Sequence, residues 1–260
     1  MPAFFIGGYA MTLKIVQLSD CHVAADPEEP YRGQDAGANL SHVWARAEQW
    51  EPHLVLLTGD VSEDASPASY QRVKDKLDDR KAILALPGNH DDPALMSRYF
   101  PSGPWDGPLV HEAGSWLIVL LDSSLEGRIE GGFSDAELGQ LQNALESSPK
   151  PNILVALHHQ PVPVQAPWID RYALTRPEKF LAIIDAEPRV KCVVWGHIHH
   201  HFSAERNGVQ YLGAPSTAAN SLGRTAKFDL DPLGPSCRTL ELDEAGKVVY
   251  GQLYSSAPEV

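Results

Sequence analysis

Apolar residues in this chain gather in short runs separated by polar, turn-rich stretches. Residues 13–19 (LKIVQLS), 54–58 (LVLLT), 82–86 (AILAL), 153–157 (ILVAL) and 190–195 (VKCVVW) have strand length. Several are apolar on both faces, as buried strands of a parallel sheet are. Between them the apolar positions spread to helical spacing. Residues 38–50 predict a helix, and so do 66–79, where Ser66-Pro67 offers an N-cap and a proline at the first helical position. Ser134 and Glu137 form a capping box at the head of a helix over 134–147, with Leu138, Leu141 and Leu145 on one face. A fourth helix is predicted over 176–187, with Pro177 in its first turn. Residues 109–112 and 115–122 predict a hairpin around Gly114, and 208–214 and 238–254 are β-type, with a hairpin turn at Ala245-Gly246. Strand–helix alternation points to an α/β fold, and the β-rich C-terminal third to a second sheet. Residues 229–236 (DLDPLGPS) are expected to be a surface loop. No repeat or linker divides the chain, so 1–260 is taken as one domain: a core over 12–200 and a β-rich C-terminal part over 201–260.

Composition narrows the function. The 260 residues are 43% hydrophobic and 21% charged, ordinary for a globular protein, and suffice for a sizeable core. The net charge of −13, with no Lys/Arg cluster, argues against binding duplex nucleic acid. An anionic substrate would need a strong local cation, which bound metal supplies. Cys21, Cys192 and Cys237 are odd in number and widely spaced, against a disulfide framework or a Cys-based zinc site. A reducing cytoplasm is the expected location. The opening MPAFFIGGYAMTLK lacks a basic leader and an A-x-A site, so it is not read as a secretory signal; Met11 is a candidate start. No apolar run approaches a membrane span.

The candidate chemistry lies at strand ends. Asp20-Cys21-His22 follows the first run, Gly59-Asp60 the second, Gly88-Asn89-His90-Asp91 the third, His158-His159 the fourth and Gly196-His197-Ile198-His199 the last. Open α/β sheets bind ligands just beyond the carboxyl ends of their strands. Each motif alone has an ordinary turn reading. Five strand ends carrying imidazole, carboxylate and amide donors to one edge do not. Such donors suit iron, manganese or zinc, and the lack of thiolates argues against a closed structural zinc site. Asp20 with His22, and His197 with His199, lie two apart and can point the same way. Asp60, after Gly59, is the natural carboxylate to bridge two ions. At the HH pair, the strand period favours His158 over His159.

The ordered set D-x-H, GD, GNH, H, GHxH resembles the calcineurin-like metallophosphoesterase superfamily over residues 20–199. Stretches such as LLDSSLEGRIEGGFSDAELGQL (120–141), ALHHQPVPV (156–164), WIDRYAL (168–174), GAPSTAAN (213–220) and CRTLEL (237–242) are similar to the bacterial class III cyclic nucleotide phosphodiesterases, the CpdA type. The resemblance implies a four-layer α/β/β/α sandwich of two mixed sheets flanked by helices. It implies two divalent ions: one held by Asp20, His22 and His199, the other by Asn89, His158 and His197, with Asp60 bridging. It implies hydrolysis of 3′,5′-cyclic AMP, and of cyclic GMP in a wider reading, to the 5′-monophosphate by a hydroxide bridging the ions. His90 then stabilises the phosphoryl oxygens or protonates the leaving oxygen, oriented by Asp64 or Asp91. Substrate contacts fall to His90, Asn89 and His199. Asn220, Pro215-Ser216-Thr217, Trp168 and Tyr172 are further candidates for the base or ribose, each with an ordinary turn or core reading, and His200 and His201 are read as surface residues. The expected partner is a small cyclic nucleotide; a homodimer is left open by the β-rich tail. The alternatives are a broad-specificity phosphodiesterase, a glycerophosphodiesterase or a phosphomonoesterase on the same site, and a non-catalytic scaffold of this fold.

Overall fold

The computed structural model describes residues 12–77, 81–100 and 105–255. The opening stretch, Met11 included, and the expected end of the second helix at residue 79 lie outside the described residues. In chain order the elements are β1 (Leu13–Leu18), α1 (Ala36–Gln49), β2 (Leu54–Thr58), α2 (Pro67–Lys76), β3 (Ala82–Leu86), α3 (Pro93–Met96), β4 (Leu109–Ala113), β5 (Trp116–Leu120), α4 (Asp135–Ser147), β6 (Asn152–Ala156), α5 (Pro167–Asp170), α6 (Pro177–Ala186), β7 (Val190–Trp195), β8 (Phe202–Arg206), β9 (Val209–Gly213), β10 (Ser236–Leu242) and β11 (Val248–Tyr254). One sheet runs β11-β10-β1-β2-β3, the other β4-β5-β6-β7-β9-β8. β1, β2 and β3 are parallel, as are β5, β6, β7 and β9; β4, β8, β10 and β11 pair antiparallel with their neighbours. The C-terminal strands do not make a sheet of their own. β8 and β9 complete one sheet, β10 and β11 the other.

Side-chain alternation turns the two sheets into four layers. Ile15, Leu54 and Leu56 point inward against Ile118, Leu154 and Val194 of the other sheet. Val16, Leu18, Val55 and Leu57 point outward to Leu40, Val43 and Val73 of α1 and α2. Val119, Val155 and Val193 likewise meet Leu141, Leu145 and Ile184 of α4 and α6. The expected sandwich is therefore the one observed. α1 starts two residues earlier than its apolar pattern suggests because Asp35 caps it, accepting from the Ala38 amide at 2.8 Å. β8 was not foreseen, since its FSAER pattern is mostly exposed and has no apolar face. The capping box is present: Glu137 Oε2 accepts from the Ser134 amide at 2.7 Å and Ser134 Oγ from the Glu137 amide at 3.2 Å. Ser134→Ala should lower stability by about 1 kcal/mol, read from urea unfolding; an unchanged midpoint would show that α4 is held by packing alone.

Candidate metal centre

The carboxyl ends of β1, β2 and β3 face those of β6 and β7 across the seam between the sheets. Each delivers a loop of a few residues, and the loops are stitched together. The Asp20 amide donates to Gly59 O (3.0 Å), the His22 amide to Asp60 O (3.0 Å) and the Gly196 amide to His158 O (3.1 Å). The His197 amide donates to the Asp20 carboxylate. Asp20, His22, Asp60, His197 and His199 all have left-handed backbones, with φ between 43° and 67°. Such conformations cost free energy in non-glycine residues and persist where surrounding structure enforces them. Two glycines allow the close approach. A Cβ on Gly59 would fall on the His158 ring, and one on Gly88 on Asp60.

Four imidazoles follow one rule: each spends one ring nitrogen on a fixed acceptor and turns the other toward the cluster. His22 Nδ1 donates to Glu63 Oε2 (2.7 Å), His158 Nδ1 to Thr58 O (2.7 Å), His199 Nδ1 to Ala219 O (2.9 Å) and His197 Nε2 to Tyr172 O (3.1 Å). This is how imidazoles that bind metal are oriented and held in one tautomer. The Nε2 atoms of His22 and His199 face each other at 3.2 Å. His199 Nε2 is also 3.2 Å from Asp20 Oδ1. His158 Nε2 lies 3.4 Å from Asp60 Oδ2, too long for a charge-assisted hydrogen bond, and it and Asn89 Oδ1 are buried without a partner. Asp20, His22 and His199 converge as one donor group, Asp20, Asp60 and His158 as another, His158, His159 and His197 as a third, and His22, Glu63 and His90 as a fourth. Orphaned donors of nitrogen and oxygen type, converging from five loops, fit divalent metal ions.

The field points the same way. Burial works against charge on His158, but Asp60 and Asp20 outweigh it and push its pKa up to about 9. Burial would raise the Asp60 carboxyl, yet His158 and His22 hold it well below the usual range. The cluster thus draws positive charge. His159, beside it, is satisfied differently: Nδ1 meets Ser123 Oγ at 2.8 Å and Nε2 donates to Ile129 O at 3.0 Å, leaving no lone pair free. Burial and His158 hold its pKa down to about 3. Between the two, His158 has the open nitrogen.

His90 sits at the rim, its side chain 36% exposed. Its amide donates to Asp60 Oδ1 (2.9 Å), and its Nδ1 is 3.3 Å from Glu63 Oε2, the oxygen that also takes His22. Burial lowers its pKa, but Asp60 and Glu63 outweigh that and raise it. Neither Asp64 nor Asp91 orients it, contrary to expectation. Asp64 accepts from the Ala25 and Ser66 amides, and Asp91 from the Val61, Ser62 and Gly88 amides and Tyr70 Oη. The sequence clue to Glu63 was its place in the Asp60 loop. Tyr31, also unforeseen, lies flat on His22, ring centroids 3.9 Å apart and planes at 5°.

Other expected contacts are structural. Asn220 is buried; its amide donates to Gly234 O and Ser236 Oγ, and its Oδ1 accepts from the Ser216 amide. Ser216 Oγ donates to Asp20 O, and the Thr217 amide to Ser19 O. Trp168 is buried, edge-on to His199 and Phe228. The Tyr172 carbonyl holds His197 while Arg171 lies over its ring. His200 is buried rather than on the surface, with Nδ1 on Ile198 O at 2.7 Å; His201 is exposed.

Comparison with known proteins agrees with this geometry. The calcineurin-like phosphoesterase family matches residues 13–201. The 3′,5′-cyclic adenosine monophosphate phosphodiesterase CpdA of Pseudomonas aeruginosa is 35% identical over 244 residues, covering 91% of this chain and 88% of its own length. A Nostoc 3′,5′-cyclic-nucleotide phosphodiesterase is 34% identical, covering 89% of this chain and 88% of its own length. The Escherichia coli K12 CpdA is 32% identical, covering 90% and 86%. Among solved structures, a dimetal phosphatase from Danio rerio superimposes with a TM-score of 0.69 at 15% identity over 94% of this chain and 99% of its own, a likeness of fold. The match spans every strand end that carries the site, and the chain belongs to the calcineurin-like phosphoesterase family, a family of hydrolases.

Proposed function

We propose that the chain hydrolyses 3′,5′-cyclic AMP, and cyclic GMP by the same chemistry, to the 5′-monophosphate. The observation that carries the reading is the set of converging imidazole and carboxylate donors at the seam, in a chain with cyclic-nucleotide phosphodiesterases among its relatives at 32–35% identity. In this reading Asp20, His22 and His199 would hold one divalent ion, Asn89, His158 and His197 a second, and Asp60 would serve both. Bound there, such ions supply Lewis-acid charge and a water ionised near neutral pH. Cleavage to the 5′-monophosphate breaks the bond from phosphorus to the 3′-oxygen, which must gain a proton as it leaves. His90 has the raised pKa for that task, Nδ1 anchored on Glu63 and Nε2 free to face the phosphate. A cleft of about 490 Å³ opens beside Asn89, and Asp91, Asp92, Asp122 and Glu126 line it. That acid lining favours a diester, with its single charge at the reacting phosphorus, over a dianionic monoester. Three buried, free cysteines accord with a cytoplasmic setting. No helix among the described residues is long and apolar enough to cross a membrane.

The test is to incubate manganese-loaded protein with cyclic AMP and resolve the products by chromatography. Conversion to 5′-AMP that stops on chelation is expected. Cleavage of a generic aryl phosphodiester without conversion of cyclic AMP would leave the phosphoesterase but remove the substrate.

A further inference from the structure

A flank of the centre away from the residues of the acid-lined cleft is walled by rings. Tyr31 covers His22, and Phe228 stands edge-on to His199 with centroids 6.2 Å apart. Two loops bring these rings together. In the first, Tyr31 and Gln34 exchange both backbone hydrogen bonds at 2.9 Å, leaving Arg32 (φ 50°) and Gly33 (φ 77°) as a two-residue turn. Turns with both central residues left-handed select Asn and Gly, so an arginine at the first position is held against its preference. The second loop, residues 222–229, is closed by the Leu222 amide on Asp229 O (2.7 Å) and tied to the centre by the Ser221 amide on His199 O (2.7 Å).

The loops meet where Arg32 Cζ lies 4.0 Å above the Phe228 ring and 5.4 Å from that of Tyr31. Its Nε donates to Tyr31 Oη at 3.1 Å. Among the described residues no carboxylate pairs with it, in a chain with 34 acidic and 21 basic residues. The result is a planar cation on an exposed residue, backed by the Phe228 ring and one ring away from His199.

We propose that Arg32, backed by Phe228, is the platform on which the substrate's nucleobase stacks. The inference rests on the cyclic-nucleotide reading and specifies how that site grips the nucleoside. A spacing of 4.0 Å leaves no room between guanidinium and ring, so the base lies on the outer face of Arg32. Planar guanidinium groups and aromatic rings stack on bases through the base's π face. The residues of the acid-lined cleft include no aromatic ring. Because the stack reads the face and not the edge, it favours purine over pyrimidine cyclic nucleotides and does not separate adenine from guanine.

Calorimetric titration of the manganese-loaded protein with 5′-AMP and with ribose 5-phosphate isolates the base. Wild type should bind 5′-AMP about tenfold more tightly, the order expected of one stacked base. Arg32→Ala and Phe228→Ala should bring the ratio near one while ribose 5-phosphate affinity holds, which also reports an intact fold. Arg32→Lys, which keeps the charge but loses the plane, should behave like Arg32→Ala. Equal affinities in wild type, or an Arg32→Ala protein weakened equally for both ligands, would overturn the platform. Cyclic AMP hydrolysis by the same wild-type preparation separates the two failures: turnover with equal affinities removes the platform alone, whereas no turnover removes the cyclic-nucleotide reading beneath it.

Discussion

Asp60→Asn should cut turnover by about 10²–10³-fold, a loss of the size seen when charge-stabilising groups are removed, and lower the metal retained after dialysis. The substitution keeps shape: an amide oxygen can still accept from the His90 amide, now 2.9 Å from Asp60 Oδ1. What it removes is the charge that faces His22 Nε2 at 3.6 Å and His158 Nε2 at 3.4 Å. Without it, the field that pushes His158 up to about 9 is weakened, and the centre draws cations less strongly. Metal analysis beside a rate assay checks both parts. A variant that keeps full metal and full rate would show that Asp60 does not lie between two ions.

His90→Ala should leave metal content intact and reduce kcat by about 10²–10⁴-fold, the usual contribution of a positioned general acid. The split follows from geometry. His90 is partly exposed, whereas the imidazoles that turn a nitrogen toward the cluster are buried. Its ring bonds to Glu63, and it converges with His22 and Glu63 alone, not with the Asp20–His22–His199 or Asp20–Asp60–His158 groups. Loss of metal along with rate would recast His90 as a structural part of the centre. An unchanged rate would take it out of the chemistry.

The strands and the ends that carry the donors were readable because both obey short-range rules. LVLLT, AILAL and VKCVVW are apolar runs of strand length, and each is followed within two or three residues by its donor, Asp60, Asn89 or His197. The Asp20/His22 and His197/His199 spacings were readable for the same reason. What stayed hidden depends on where distant loops meet. Glu63 and Asp64 look equivalent along the chain; only the fold turns Asp64 onto the Ala25 amide and Glu63 onto His22 and His90. His200 seemed exposed because it extends a polar run, yet its ring tucks back onto Ile198 O. Asn220 seemed available to a ligand, but the turn holding β10 consumes its amide. Left-handed backbones at Asp20 and Asp60 have no sequence mark, since neither residue is the glycine that such angles usually call for.

The seam position of the donors also fixes when in folding the centre can exist. His22 and His199 stand 177 positions apart and come from different sheets, yet their ring nitrogens must meet at 3.2 Å. A chain that has formed β1, β2 and β3 owns Asp20, His22, Asp60 and Asn89, but none of the imidazoles from β6 and β7. Closing so long a loop is a late and entropically costly event. The complete donor set therefore exists only once the two sheets have docked.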